Sequence, residues 1–157
     1  MPSISKTIEV AVPVRTAYDQ WTQFEEFPRF MDGVDDVKQL DDKRLHWKAT
    51  VGGKLKEWDA EIVEQRPDEI ISWRSTSGAK NEGTVTFQPS AKGAKVTLRL
   101  EYEPEGVAEK AGDVLGVLDR QVQSSLERFK KFIESRRTET GAWRGTIEGS
   151  RVEEPTR

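Results

Sequence analysis

The most constraining feature of the sequence is a long apolar stripe at helical spacing in its last third. Its members step by 4, 4, 3, 4, 4, 3 and 4 residues: Val107, Ala111, Leu115, Leu118, Val122, Leu126, Phe129 and Ile133. This spacing predicts an amphipathic α-helix over 105–136, about 48 Å long at the standard rise. Acidic residues near its start and basic residues near its end suit the helix dipole. Gly112 and Gly116 lie one turn apart on it, which suggests either room for a ligand or a close contact with a sheet.

Before this helix the sequence alternates with a period of two between regularly spaced turn signals. Gly52 and Gly53 suit a two-residue hairpin turn, because glycine tolerates positive φ. A helical spacing interrupts the alternation early in the chain, and Pro28 divides it into two short helices at about 14–23 and 25–31. We place strands at 3–12, 35–41, 44–51, 54–66, 69–76, 82–89 and 94–103.

The alternation assigns one apolar and aromatic face to the strands and one charged face rich in threonine. The larger inward side chains and one inward hydroxyl are Trp47, Trp58, Trp73, Ser75, Phe87 and Tyr102. An antiparallel sheet commonly has one wet face, and its dry face must be covered. The long helix is the element large enough to cover it. The sequence therefore predicts an α+β fold of order β-α-α-β-β-β-β-β-β-α, in which about seven antiparallel strands curve around the C-terminal helix.

Composition narrows the classes of function. The 157 residues suit one domain at 1–137, followed by a polar tail at 138–157 that we expect to be flexible; whether its Trp143 docks is left open. A net charge of -3 argues against a nucleic-acid binder. The absence of cysteine excludes disulfides, thiolate nucleophiles and cysteine–zinc sites. The first residues lack a secretory signal and no apolar run is long enough for a stable membrane insertion, so we expect a cytoplasmic protein.

The inward face of the sheet has few side chains that could catalyse a reaction. Ser75 and Tyr102 are its polar groups, and a serine without a neighbouring base is a poor nucleophile. The strand parity places Arg74 outside, together with a charge ladder of Glu57, Asp59 and Glu61, although a β-bulge would shift that parity. His46, the one histidine, faces solvent without enough ligands for a metal. Neither GxxxxGK(S/T) nor GxGxxG occurs, so we expect no cofactor, no metal and no catalytic residue.

Several stretches resemble the START-like helix-grip superfamily, also called SRPBCC, in its polyketide cyclase/dehydrase-like and coenzyme-Q-binding-like branch. The resemblance covers roughly residues 3–137. It is carried by VAVPVRTAYDQWTQFEEFPRFM, KLKEWDAEIVEQRPDEIISWRS, GTVTFQP, VTLRLEYEP and LERFKKFIESR. It implies a helix-grip fold with a cavity between the sheet and the long helix, suited to an apolar small molecule. The same fold hosts carriers, receptors and enzymes, so the resemblance does not choose among them.

Our first hypothesis is a non-enzymatic protein that binds or transports a hydrophobic small molecule such as a lipid, a quinone or a polyketide-like compound. The expected ligand-binding residues are Trp47, Trp58, Trp73, Ser75, Phe87, Tyr102, Leu115, Leu118 and Val122. The second hypothesis is a cyclase or dehydratase of aromatic polyketides that uses Arg74 or Tyr102. The third is an interaction or stress-associated module without a ligand. The sequence leaves the ligand and the oligomeric state open.

Overall fold

The structure, a computed structural model, describes residues 2–104 and 111–155, with the side chains of 111–113 left undescribed. The described elements are nine strands, two α-helices and one 3₁₀ helix. They run β1 Ser3–Val10, α1 Val14–Trp21, the 3₁₀ helix Phe24–Arg29, β2 Val34–Gln39, β3 Arg44–Val51, β4 Lys54–Arg66, β5 Ile70–Gly78, β6 Asn81–Pro89, β7 Ala94–Tyr102, α2 Ala111–Arg136, β8 Thr146–Glu148 and β9 Arg151–Glu153.

One antiparallel sheet holds all the described strands, in the spatial order β1-β7-β6-β5-β4-β3-β2. The short strand β8 pairs with β4, and β9 pairs with β8. The predicted α+β helix-grip fold is confirmed, and the expected count of about seven strands is too low by the two short ones. Three-residue strands are too short to show an alternation, so the sequence carried no signal for β8 and β9.

The helix α2 buries one stripe against the concave face of the sheet. Its buried apolar members are Val114, Leu118, Val122, Leu126, Phe129 and Ile133. The predicted stripe is confirmed from Leu118 to Ile133, whereas Leu115 is 39% exposed and Val114 takes the inward position four residues before Leu118. The side chain of Ala111, another predicted member, is not described. Val107, predicted to belong to the same stripe, lies outside the described residues.

Along β4, inward and outward side chains alternate as predicted up to Ile62, and the alternation then shifts by one residue. Trp58 and Ile62 are buried, but the register with β5 shifts between Ile62 and Glu64. This β-bulge turns Gln65 inward, where its amide Nε2 donates a hydrogen bond of 3.1 Å to the Tyr18 hydroxyl. A strict period of two after Ile62 would have turned Glu64 inward, whereas the bulge buries Gln65 and pairs it with Tyr18.

The chain after α2 packs back onto the sheet and α1. The Arg144 guanidinium donates to an Asp19 carboxylate oxygen at 2.6 Å and lies 2.8 Å from an Asp68 carboxylate oxygen. Thr140 exchanges two hydrogen bonds of 2.9 Å with the Gln20 side chain, and Ile147 is fully buried. These contacts attach the described part of 138–157 to the rest of the fold, while the division into a domain and a flexible tail stays a prediction.

Candidate functional site

A small cavity lies between the concave face of the sheet and α2. Its volume is about 60 Å³. Five of the nine predicted ligand-binding residues line it: Trp47, Trp58, Trp73, Tyr102 and Leu118. The walls come from β2 to β7, from α2 and from the loop before β2. The largest predicted aromatic residues are thus brought together at one place.

The other four predicted residues do not line this cavity. Ser75 accepts a hydrogen bond of 3.1 Å from the Asn81 backbone N–H. Phe87 packs edge-to-face on Tyr18, with ring centroids 5.3 Å apart. Val122 is fully buried in the core, and Leu115 points away from it. Their roles in binding stay predictions that the geometry of this cavity does not support.

A group of cavity residues that the sequence did not predict comes from the loop before β2, the start of β2 and the polar edge of α2. Met31 and Gly33 line the cavity from the loop, Val34 from the start of β2, and Gln121 from the helix. The sequence does carry a signal for Gln121. It follows Leu118 by three residues, and residues at this spacing lie on the same side of a helix. The loop gave no such signal, because its placement depends on tertiary contacts.

Three indole rings form a stack along one wall, which we call the tryptophan stack: Trp58, Trp47 and Trp73. Trp47 and Trp58 are cross-strand partners, with ring centroids 5.7 Å apart and planes tilted by 12°. Trp47 and Trp73 have centroids 5.5 Å apart and an angle of 22°. Such near-parallel, offset packing is one of the favoured arrangements of aromatic pairs. The cavity therefore has a flat aromatic wall.

Gly83 makes room for one end of this stack. It is the cross-strand partner of Trp73 on β6. A Cβ at Gly83 would lie 2.7 Å from the Trp73 Nε1 atom and closer still to two carbons of the indole ring. Real Cβ atoms do not approach other heavy atoms this closely, so the indole occupies space that every other residue type would fill. Gly83 thereby sets the position of Trp73.

Two rings of the stack carry unsatisfied polar atoms. The indole Nε1 atoms of Trp47 and Trp58 are buried, and neither has a hydrogen-bond partner among the described residues. The indole N–H is a donor only, and leaving a buried donor unpaired costs about 1–3 kcal/mol. Trp21 also has an unpaired Nε1, but this ring packs between Phe27, Phe30 and Phe129, away from the cavity.

Two hydrogen bonds join α2 to the neighbouring loop and hairpin at one edge of the cavity. We call this edge the cavity mouth. The Gln121 amide Nε2 donates to the Thr50 carbonyl oxygen at 2.9 Å. The Asp32 backbone N–H donates to the Ser125 hydroxyl at 2.8 Å. Gly33 lies between these contacts with a φ of 83°, a conformation that glycine adopts without strain. Hydrogen bonds thus join α2 to the loop and to the hairpin at the cavity mouth.

The charged groups of β3 to β5 lie on the outer face of the sheet, as the parity predicted. His46 lies between two carboxylates, with Nδ1 2.7 Å from Asp59 and Nε2 2.8 Å from Glu57. These hydrogen bonds, that from Asp59 first, raise the pKa of His46. Arg74 is exposed and contacts Glu61 at 3.3 Å. These groups belong to a solvated charge ladder and not to the cavity.

The buried charges of the fold also lie away from the cavity. Asp19 and Arg144 form their ion pair beside α1, and neither residue lines the cavity. Burial raises the pKa of Asp19 in spite of the guanidinium beside it. Burial raises the pKa of Tyr18 to about 12. Within residues 2–104 and 111–155, no group of three or more His, Cys, Asp or Glu side chains could hold a metal ion, and no helix is long and apolar enough to cross a membrane.

The sequence matches a described family over most of its length and a relative over nearly the whole chain. A family model described as polyketide cyclase / dehydrase and lipid transport matches residues 10–131. An uncharacterized 17.2 kDa protein from the melC2-rnhH intergenic region of Streptomyces lincolnensis is 50% identical over 149 residues. The match covers 94% of this chain and 99% of the relative.

Solved structures share the fold. The protein DR_A0006 from Deinococcus radiodurans matches with a TM-score of 0.69 and 26% identity, over 85% of this chain and 98% of that chain. A START superfamily protein from Mycobacterium smegmatis matches with a TM-score of 0.66 and 17% identity, over 85% and 95%. The Zhui aromatase/cyclase from Streptomyces sp. R1128 matches with a TM-score of 0.68 and 13% identity, over 89% and 98%. The low identities of the last two show likeness of fold alone.

Proposed function

The chain belongs to the polyketide cyclase / dehydrase and lipid transport family, and from that premise we propose that it binds an apolar small molecule between the sheet and α2. The observation that carries the proposal is the tryptophan stack, which gives the cavity a flat apolar wall. Ligand pockets are typically apolar and aromatic, with a few polar groups. Binding without catalysis suits this cavity, because the carboxylates that line it, Asp32, Glu82 and Glu101, are partly or fully exposed, and the buried ion pair of Asp19 and Arg144 lies elsewhere.

The size of the cavity shows what binding requires. Pockets for drug-sized ligands measure about 300–1,000 Å³, and this cavity measures about 60 Å³. A ligand must therefore widen it. The hydrogen bonds of Gln121 and Ser125 at the mouth join α2 to the hairpin and to the loop, so widening of the cavity there breaks them. We propose that ligand entry proceeds there.

A titration followed by intrinsic tryptophan fluorescence tests the proposal, because three of the five tryptophans line the cavity. The probes are menadione, a bicyclic quinone, and palmitate, a saturated fatty acid. Ala49→Leu fills the cavity with roughly three added carbons, and Lys48→Leu is its matched control on the opposite face of the same strand. We expect saturable binding in the wild type and in Lys48→Leu, and at least tenfold weaker binding in Ala49→Leu. A wild type that binds neither probe would contradict the proposal and favour a module without a ligand.

A second candidate function, cyclisation or dehydration of a polyketide-like substrate, rests on Tyr102. Its ring is buried and lines the cavity, whereas Arg74 lies on the outer face. A cyclase needs a group inside the cavity that moves a proton or stabilises an enolate. Turnover of a poly-β-ketone mimic that falls in Tyr102→Phe and is unchanged in Arg74→Ala would support this function. Absence of turnover in the wild type, with menadione still bound, would exclude this reaction of the mimic and favour the binder.

A further inference from the structure

We propose that the open edge of β9 pairs with the same edge of a second copy of this chain, so that two sheets join into one across a two-fold axis. The inference goes beyond the proposed function and does not depend on the cavity. It concerns the hairpin of β8 and β9, which lies outside the stretch 10–131 that the family model matches. It rests on the backbone groups of β9, on the charges beside them and on the protection of the other edges of the sheet.

The outer edges of β1 and β2 are protected by side chains from helices. Glu134 of α2 accepts a hydrogen bond of 2.8 Å from the Ala11 backbone N–H, just after β1. Glu25 of the 3₁₀ helix accepts one of 3.0 Å from the Gln39 backbone N–H at the end of β2. Among the described residues, no side chain bonds the backbone of β9, and β9 pairs only with β8. An unprotected edge is a template for another strand.

The hydrogen bonds of β8 determine which backbone groups of β9 reach the open edge. The Gly149 N–H donates to the Val63 carbonyl oxygen at 2.9 Å, so Gly149 directs its backbone groups toward β4. The preceding residue, Glu148, therefore directs its groups toward β9, where it pairs with Arg151 across a turn of two residues. Because these directions alternate along a strand, the N–H and C=O of Val152 point away from β8. They can form two hydrogen bonds with Val152 of a second copy.

The charges of β9 are self-complementary in that arrangement. With the two Val152 residues opposite each other, each Arg151 lies opposite Glu153 of the other copy. This is a non-hydrogen-bonded pair, in which the Cα atoms approach to about 4.5 Å and the side chains are closest. The side chains of Arg151 and Glu153 are 75% and 58% exposed, so an incoming strand can reach both. Opposite charges at cross-strand positions stabilise a sheet, whereas like charges oppose the pairing.

Both faces of the joined sheet would be continuous. On the outer face, Arg151 lies opposite Glu148 of its own hairpin, so it would stand between two acids. On the inner face, Val152 is partly buried and pairs with the fully buried Ile147. Two Val152 side chains in contact would extend this apolar row. A strand of three residues gives a small interface, so we expect a weak dimer whose population depends on concentration.

Sedimentation velocity of the full chain, at concentrations up to about 1 mM so that weak interfaces associate, tests the proposal. We expect a monomer–dimer equilibrium that salt weakens, because the charges are exposed. Arg151→Glu and Glu153→Arg each replace two opposite-charge contacts of the dimer by two like-charge contacts, so each should lower the association constant about tenfold or more. Lys131→Glu and Glu127→Arg, the same reversals at exposed positions of α2, are the matched controls and should associate like the wild type.

An equimolar mixture of Arg151→Glu and Glu153→Arg tests the two-fold geometry itself. In a mixed dimer, both acids of one chain lie opposite both bases of the other, so the mixture should associate although neither variant does so alone. Val152→Pro removes the outward N–H while the bonds of its neighbours to β8 remain, and it should abolish association. Thermal unfolding of each variant verifies that it is folded.

Three results would overturn the proposal. The first is a wild type that stays monomeric over the whole concentration range. The second is a dimer that the reversals on β9 leave unchanged, because it would use another surface. The third is a mixture that associates no better than its two separate variants. Menadione binding tests the proposed function independently, so each proposal stands or fails by its own experiment.

Discussion

Replacing Gly83 by alanine places a methyl group inside the space that the Trp73 indole occupies. The added Cβ would lie 2.7 Å from Trp73 Nε1 and closer to two ring carbons, whereas ordinary contacts begin at 3.4 Å. The ring must therefore move by about 1 Å, and overpacking of this kind costs about 1–3 kcal/mol. Trp73 stacks on Trp47, so the displacement also disturbs the aromatic wall of the cavity.

Thermal unfolding measures the cost, and near-ultraviolet circular dichroism reports the changed indole packing. For a chain of this size about 1 kcal/mol shifts Tm by about 2–4 °C, so we expect Gly83→Ala to lower Tm by several degrees. Gly116→Ala is the control, because its Cβ meets only the Arg120 guanidinium at 3.7 Å and alanine is favoured in a helix by up to about 1 kcal/mol. It should raise Tm slightly. The reasoning is refuted if Gly83→Ala unfolds within about 0.5 kcal/mol of the wild type and its near-ultraviolet spectrum is unchanged.

Three further predictions concern the ion pair beside α1, the outer face of the sheet and the cavity mouth. Arg144→Ala leaves the buried Asp19 carboxylate with the more distant, exposed Arg15 at 3.8 Å, so we expect a loss of about 3 kcal/mol in chemical unfolding; a loss under 1 kcal/mol would show that the pair with Arg144 contributes little. The pKa of His46 is raised above its unfolded value of 6.5, so its contribution to stability is complete below that pH and is lost as the pH rises through the folded pKa. The difference in unfolding free energy between the wild type and His46→Asn should therefore shrink from pH 5.5 to pH 8.5, and a constant difference would contradict this. Gln121→Ala removes the hydrogen bond to the Thr50 carbonyl oxygen, so stopped-flow fluorescence should show faster menadione association, and an unchanged rate would place the entry elsewhere.

Local periodicity in the sequence was sufficient to predict the main elements and their faces. The stripe of α2 and the alternation that turns Trp47, Trp58 and Trp73 inward depend on the 3.6 and 2.0 residue periods of single elements, and the structure follows both. These periods also predicted that Arg74 and the carboxylates beside it lie outside. The fold followed because one dry sheet face and one long amphipathic helix have few ways to cover each other.

Some features of the protein depend on tertiary packing and do not follow from the period of any single helix or strand. The bulge in β4 turned Gln65 inward, Val114 took the place expected for Leu115, and Ile147 reached the core from a strand of three residues. The cavity is a gap between elements. Its volume is the small difference between the volume that the elements enclose and the volume of the side chains that fill it. Such a difference depends on the register and placement of the sheet, α2 and the loop before β2 together, so no single stretch of sequence encodes it.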